Sequence, residues 1–116
     1  MWLYLTTGFY SVVNNVPCEE DELLVRARSK VDLDNLQEIL KTKYHFDGEV
    51  LDTPKADYAY RMIVPRQTFA SFISSAVNNL VYDNFKNSKC WEAMYKWQQD
   101  LNRGKQDSYH RQKQLQ

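Results

Sequence analysis

The clearest structural signal in the sequence is Tyr58-Ala-Tyr-Arg-Met-Ile-Val64, which is closed by Pro65 and followed by a helical pattern that begins at Phe69. Side chains that alternate in this way predict a β-strand, with one face formed by Tyr58, Tyr60, Met62 and Val64. Arg61 lies on the other face of this strand. After Pro65, apolar residues recur at three- and four-residue steps, which predicts a helix whose buried stripe is Phe69, Phe72, Ile73, Val77 and Leu80.

The chain on either side of this unit contains further strands and helices. Trp2 to Val13 is rich in aromatic and β-branched residues and predicts one strand, in which Gly8 marks a bulge or a close backbone approach. Leu23 to Arg28 predicts a second strand. Ser29 and Asp32 suit the start of a helix that ends near Lys43, as a variant of the capping box. Glu49 to Asp52 predicts a short strand, and Lys89 to Leu101 a third helix.

The resulting order is β-β-α-β-β-α-α, in which strand pairs precede helices. Such an order is typical of the α+β class, and we expect an antiparallel sheet of about four strands with the helices packed on one face. Residues 1–101 form one domain in this prediction. Residues 102–116 are polar and basic, which favours a frayed tail.

Composition excludes several classes of protein. The 116 residues include 14% aromatics and carry a formal net charge of zero, which excludes a mostly disordered chain and argues against generic nucleic-acid binding. The charge is asymmetric: residues 1–58 hold six Lys/Arg and eleven Asp/Glu, whereas residues 59–116 hold nine and four. The halves therefore form an acidic and a basic region, unless they interleave in space and pack against each other.

No pattern of catalytic or metal-binding residues is present. Glycine-rich phosphate loops and nucleophile elbows are absent, and neither Cys18 nor Cys90 has the spacing of a zinc ligand pair. The acids of Glu19–Glu22 would raise the pKa of the neighbouring Cys18 thiol and are most simply a solvated loop. We expect no enzyme activity, no metal and no cofactor. Free thiols and the lack of a long apolar run favour a cytoplasmic protein without a membrane partner.

Basic residues supply one candidate site. Arg26 and Arg28 project from one face of a predicted strand and Arg61 from another strand, an arrangement that suits recognition of phosphate or carboxylate. Lys86, in the polar-aromatic turn after the second helix, is a further candidate for ligand binding. The alternative is that the arginines pair with Asp52, Asp57 and other acids on the outer sheet face, or pack their stems there.

The third predicted helix supplies a second candidate site. Trp91, Tyr95 and Trp97 cannot all face one core, and Trp and Tyr are enriched among the residues that dominate protein interfaces. These three are the predicted partner-binding residues. The alternative is an ordinary core helix with one exposed Trp.

Five motifs stand in order along residues 1–87: Gly8-Phe-Tyr-Ser-Val-Val13, Leu24-Val-Arg-Ala-Arg28, Asp52-Thr-Pro-Lys-Ala-Asp-Tyr58, Tyr60-Arg61 with Val64-Pro65, and Tyr82-Asp-Asn-Phe-Lys-Asn87. Together they resemble a widespread family of uncharacterised small proteins found in bacterial and bacteriophage genomes. The resemblance implies a bacterial or viral cytoplasmic setting and no particular activity.

Two functions follow as expectations. The first is a non-enzymatic protein-interaction module that binds a host protein or a second copy of itself; in a phage it would inhibit a host enzyme or a defence system. The second is a nucleotide or RNA binder that uses the arginines of the sheet.

Overall fold

The computed structural model describes residues 1–85. The chain divides into two compact units, Met1–Val81 and Tyr82–Gln116. The predicted third helix and the predicted tail boundary at residue 101 lie outside the described residues. Four candidate site residues also lie outside them: Lys86, Trp91, Tyr95 and Trp97. The described elements are β1 (Trp2–Leu5), β2 (Gly8–Val13), β3 (Glu22–Ala27), α1 (Lys30–Tyr44), β4 (Leu51–Asp52), β5 (Tyr60–Pro65) and α2 (Arg66–Asn78).

The strands form one antiparallel sheet in the order β1-β2-β3-β5-β4. This confirms the predicted α+β class, with five strands in place of about four. The difference arises at the N-terminus, where Trp2 to Val13 folds as a hairpin and not as a single strand. Leu5 pairs with Gly8 across a turn at Thr6 and Thr7.

Both helices pack on one face of the sheet, which we call the helix face. The core between them is apolar, as the alternation along β3 and β5 predicts: Val25 and Ala27 of β3 and Met62 and Val64 of β5 are fully buried. The other members of this core are Tyr10, Val12, Leu33, Leu36, Leu40, Phe69 and Phe72. Large apolar side chains buried in this way are the main source of stability in a domain of this size.

The second helix is shorter than the periodicity predicts. Phe69 and Phe72 are buried and Ile73 packs against the core, as expected. Val77 and Leu80 were expected in the core, and that expectation is wrong: their exposed fractions are 65% and 52%. The reason is that α2 ends at Asn78, and its last turn is not covered as its first turns are.

Gly8 lies where β2 crosses the start of α1. A Cβ at this position would lie 2.7 Å from Cβ and Cγ of Asp32 and 2.8 Å from the hydroxyl of Tyr10, so only glycine fits without a shift. The predicted close approach at Gly8 is therefore confirmed. The predicted capping box is wrong. Ser29 occupies the N-cap position without a side-chain hydrogen bond, and Asp32 instead accepts a hydrogen bond from the backbone N–H of Phe9 at 3.2 Å.

Candidate anion-binding face

One row of paired residues crosses the sheet on the side opposite the helices. The register pairs Trp2 of β1 with Ser11 of β2, Ser11 with Arg26 of β3, Arg26 with Arg61 of β5, and Arg61 with Leu51 of β4. Directly paired residues point to the same side of a sheet. We call this side the arginine face; it consists of this row together with Tyr4, Phe9, Leu24 and Ile63.

Arg26 and Arg61 are direct cross-strand neighbours on this face. Like charges in such a position are destabilising. Among residues 1–85, neither guanidinium forms an ion pair with a carboxylate, in contrast to Lys30, which pairs with Asp34 on α1. Among residues 1–85, the expected pairing with acids such as Asp52 is therefore absent for Arg26 and Arg61, whereas their buried Nε atoms agree with the other part of that alternative, in which the arginine stems pack on the sheet.

Tyr58 holds the arginines in position. Its ring centroid lies 4.8 Å from Cζ of Arg26 and 5.0 Å from Cζ of Arg28, within the range of a cation–π contact. Its backbone carbonyl accepts a hydrogen bond from Nη2 of Arg61 at 3.1 Å. Tyr58 is buried, at 9% exposed, but the expectation that it shares the face of Met62 and Val64 is wrong, because it precedes the strand in a loop and its ring contacts Arg26.

Ser11 also fixes the guanidinium of Arg26. Nη2 of Arg26 donates to Oγ of Ser11 at 2.8 Å, and the Ser11 side chain is 1% exposed. The Nε atoms of Arg26 and Arg61 are buried and have no hydrogen-bond partner among the described residues. Each of these two guanidiniums thus has one nitrogen, Nη2, bonded to the protein and two nitrogens, Nε and Nη1, that make no hydrogen bond to residues 1–85.

Exposed aromatic rings lie on the same face. Trp2 is 69% exposed, Tyr4 is 44% exposed, and both rings contact Phe9, at centroid distances of 6.3 Å and 4.4 Å. Sequence reasoning named neither residue as a candidate. The signal that could have found them is the alternation of Trp2, Leu3, Tyr4 and Leu5, which puts two aromatic rings on one side of β1.

The acidic loop has a structural role in the described part of the chain. Nε and Nη2 of Arg66 donate to the carbonyl of Glu20 at 3.1 Å and 2.9 Å, and the N–H of Arg66 donates to the carbonyl of Asp21 at 2.7 Å. Residues 1–85 contain no group of three or more His, Cys, Asp or Glu able to hold a metal ion. The pKa of Cys18 is raised, first by burial and then by the charge of Glu22.

The titratable groups with altered pKa near the sheet lie on its helix face. Burial raises the pKa of Tyr10 above its ordinary value, and the charge of Asp32 adds to this effect. Burial also raises the pKa of Asp32, while the hydrogen bond from Phe9 lowers it. The Tyr10 hydroxyl donates to the backbone carbonyl of Asp32 at 3.0 Å. These groups connect β2 to α1, and they do not reach the arginines on the opposite face.

The beginning of the second compact unit is also described. Tyr82 and Phe85 pack edge to face with ring centroids 5.7 Å apart, so the turn predicted over these residues contains an aromatic pair. Among residues 1–85, the longest helix has 15 residues, and none is long and apolar enough to cross a membrane.

Comparison with known proteins gives no relative on which to model this face. No protein-family model matches the chain, and neither the curated proteins nor the solved structures contain a match to it. The resemblance to small bacterial and phage proteins stays a prediction.

Proposed function

We propose that this protein is a non-enzymatic binding module that holds a phosphate-bearing ligand on its arginine face. The observation that supports this most directly is the pair Arg26 and Arg61. Two guanidiniums face each other on neighbouring strands, and no carboxylate among residues 1–85 neutralises either one. A sheet that keeps such a pair is destabilised by it, and an anion that binds between the two charges would relieve the repulsion.

The surroundings of the arginines favour binding over catalysis. Arginine presents several N–H donors in a rigid fork that matches phosphate oxygens. The Tyr58 ring, the Tyr58 carbonyl and Ser11 restrict the guanidiniums before a ligand arrives, which lowers the entropy lost on binding. The Ser11 hydroxyl is buried, and its oxygen accepts a hydrogen bond from Arg26. A guanidinium does not accept the serine proton, so this contact does not activate Ser11 as a nucleophile.

The expected protein-interaction role uses Trp91, Tyr95 and Trp97, which lie outside the described residues. A phage-encoded inhibitor of a host enzyme or defence system therefore stays a prediction, as does a homodimer. A cytoplasmic location belongs to the same proposal, because nucleotides and RNA are abundant in that compartment.

The test is calorimetric titration of the full chain with pyrophosphate at low ionic strength, where such contacts are strongest. We expect binding that Arg26→Gln weakens by at least tenfold, since a hydrogen bond to a charged group contributes about 1.5–3 kcal/mol. The matched control is Lys41→Gln, which removes the same charge from an exposed position on α1. NMR adds a local measurement, because the buried Nε–H groups of Arg26 and Arg61 should shift on binding.

Two results would overturn the proposal. One is the absence of binding to pyrophosphate by the folded wild-type chain. The other is an equal loss of affinity in Arg26→Gln and Lys41→Gln, because binding would then depend on total charge and not on this face.

A further inference from the structure

We infer that the ligand of the arginine face is a single-stranded nucleic acid whose backbone lies along Arg26 and Arg61 while an unpaired base stacks on Trp2. This inference depends on the proposed function and adds a ligand class to it. The basis is that Trp2, Ser11, Arg26 and Arg61 form one continuous cross-strand row, with an exposed indole at one end and two guanidiniums further along.

The length of the row sets the length of the ligand. Neighbouring strands lie about 4.8 Å apart, so Trp2 is about 10 Å from Arg26 and about 14 Å from Arg61 across the sheet. A stacked single strand advances about 3.4 Å per nucleotide. A chain of about four nucleotides is therefore needed to contact the indole and both arginines together.

The aromatic end of the row distinguishes among polyanions. Proteins that bind single strands combine cationic side chains with exposed rings on which bases stack. Trp2 is 69% exposed, and Phe9 supports its edge from the neighbouring strand. The bases of a duplex are stacked within the helix and cannot cover such a ring. An acidic peptide could contact the arginines, but its carboxylate side chains have no flat π-system to place on Trp2.

The zero net charge of the chain limits the electrostatic contribution to the affinity for a single strand, but it does not exclude such binding. Only the few phosphates near Arg26 and Arg61 would lose their counterions. For single strands the logarithm of affinity falls with the logarithm of salt with a slope of about −0.7 per neutralised phosphate. With two such contacts we expect a slope of about −1.4.

The experiment is a fluorescence-anisotropy titration of the full chain with end-labelled oligothymidylates of one to eight nucleotides. Affinity should rise up to about four nucleotides and then level off. Trp2→Ala should weaken binding of the eight-nucleotide strand about tenfold, while Trp2→Phe, which keeps a ring, should retain most of it. Pyrophosphate affinity should be the same in Trp2→Ala and in the wild type, because Trp2 does not contact the phosphate.

The remaining outcomes separate this inference from the proposed function. If pyrophosphate binding depends on Arg26 but affinity does not rise with strand length or fall in Trp2→Ala, the single-strand inference is wrong and the phosphate site stands. If poly-glutamate binds as tightly as the eight-nucleotide strand and displaces it, the ligand class is wrong. If neither pyrophosphate nor any strand binds in an Arg26-dependent way, both proposals are overturned.

Discussion

The helix face and the arginine face are built by the same strands, yet only the arginine face brings two like charges together. Along β3, Val25 is fully buried under the helices, while Arg26, one residue later, lies half-buried on the other side. On β5, Met62 is fully buried and its neighbour Arg61 is half-buried on the other side. Both faces remove apolar surface from water, since Phe9 and Leu24 of the arginine face are 3% and 2% exposed. The arginine face in addition keeps two like charges together without a carboxylate among residues 1–85. The difference teaches that the two charges can be changed without removing the buried apolar side chains, so that binding and stability can be changed separately in this sheet.

The largest expected effect is on the helix face. Phe69→Ala removes a ring that is 2% exposed in the core, and it should lower the free energy of unfolding by about 3–5 kcal/mol. Val77→Ala, on the same helix at an exposed position, should change it by less than about 0.5 kcal/mol. Urea denaturation measures both. Equal losses in the two variants would mean that α2 does not bury the face described.

A smaller loss is expected where the sheet meets α1. Gly8→Ala introduces a Cβ that would lie 2.7 Å from Asp32, so the strand and helix must separate. Overpacking of this kind costs about 1–3 kcal/mol. Urea denaturation of Gly8→Ala beside Lys41→Ala, an exposed helical position, checks the prediction. A Gly8→Ala protein as stable as the wild type would show that the close approach is absent.

On the arginine face the expected effect on stability is smaller and opposite in sign. Arg61→Gln removes one of two like charges, whose repulsion amounts to about 0.2–1 kcal/mol, but it also removes the hydrogen bond to the Tyr58 carbonyl. We expect the melting temperature at low salt to stay level or rise slightly. Added pyrophosphate should raise the melting temperature of the wild type more than that of Arg61→Gln, by mass action. Equal rises in the melting temperatures of the two proteins would mean that pyrophosphate does not bind through Arg61, and the arginine face would then have no separate role in binding.

The smallest expected effect is a pH dependence that originates at Asp32. Burial raises its pKa in the folded state, so the folded protein holds this proton more tightly than the unfolded chain does. Its contribution to stability is therefore greatest below the unfolded pKa of about 4 and is lost as the pH rises through the folded pKa. Asp32→Asn cannot titrate, so the wild type should lose stability relative to it as the pH rises through that window.

Urea denaturation at several pH values measures this difference, with Asp34→Asn as the control. Asp34 lies on the same helix, where it is partly exposed and paired with Lys30. If the wild type gains stability relative to Asp32→Asn with rising pH, the sign of the effect is opposite to that derived from burial.

The sequence predicts the helix face better than the arginine face, and the reason is physical. Burial under helices imposes a strict period on β3 and β5, and the positions of Val25, Met62 and Phe69 follow from it. The same period gives the side of the strand from which Arg26 and Arg61 project. It does not give the register between the two strands, which is fixed by packing of the whole sheet and makes these two residues direct neighbours.

The parts of the site that sequence reasoning missed lie where a local pattern changes without a strong marker. The hairpin turn is formed by Thr6 and Thr7, which lack the Asn-Gly type of turn signal, so Trp2 was assigned to one long strand. Tyr58 continues the alternation of β5 although it belongs to the preceding loop. In both cases the sequence pattern assigns an aromatic residue that lies on the arginine face or contacts its arginines to the wrong element or face.

The insertion of β5 between β3 and β4 has a consequence for how the protein folds. The β1–β2 and β2–β3 pairs join neighbours in the chain, whereas the β3–β5 pair closes a loop that includes all of α1 and β4. Contacts that close long loops have a high entropic cost and form slowly. Arg26 and Arg61 thus come together only with the most distant pairing of the sheet. A ligand that requires both arginines binds the completed sheet alone, and it would slow unfolding without accelerating the early steps of folding.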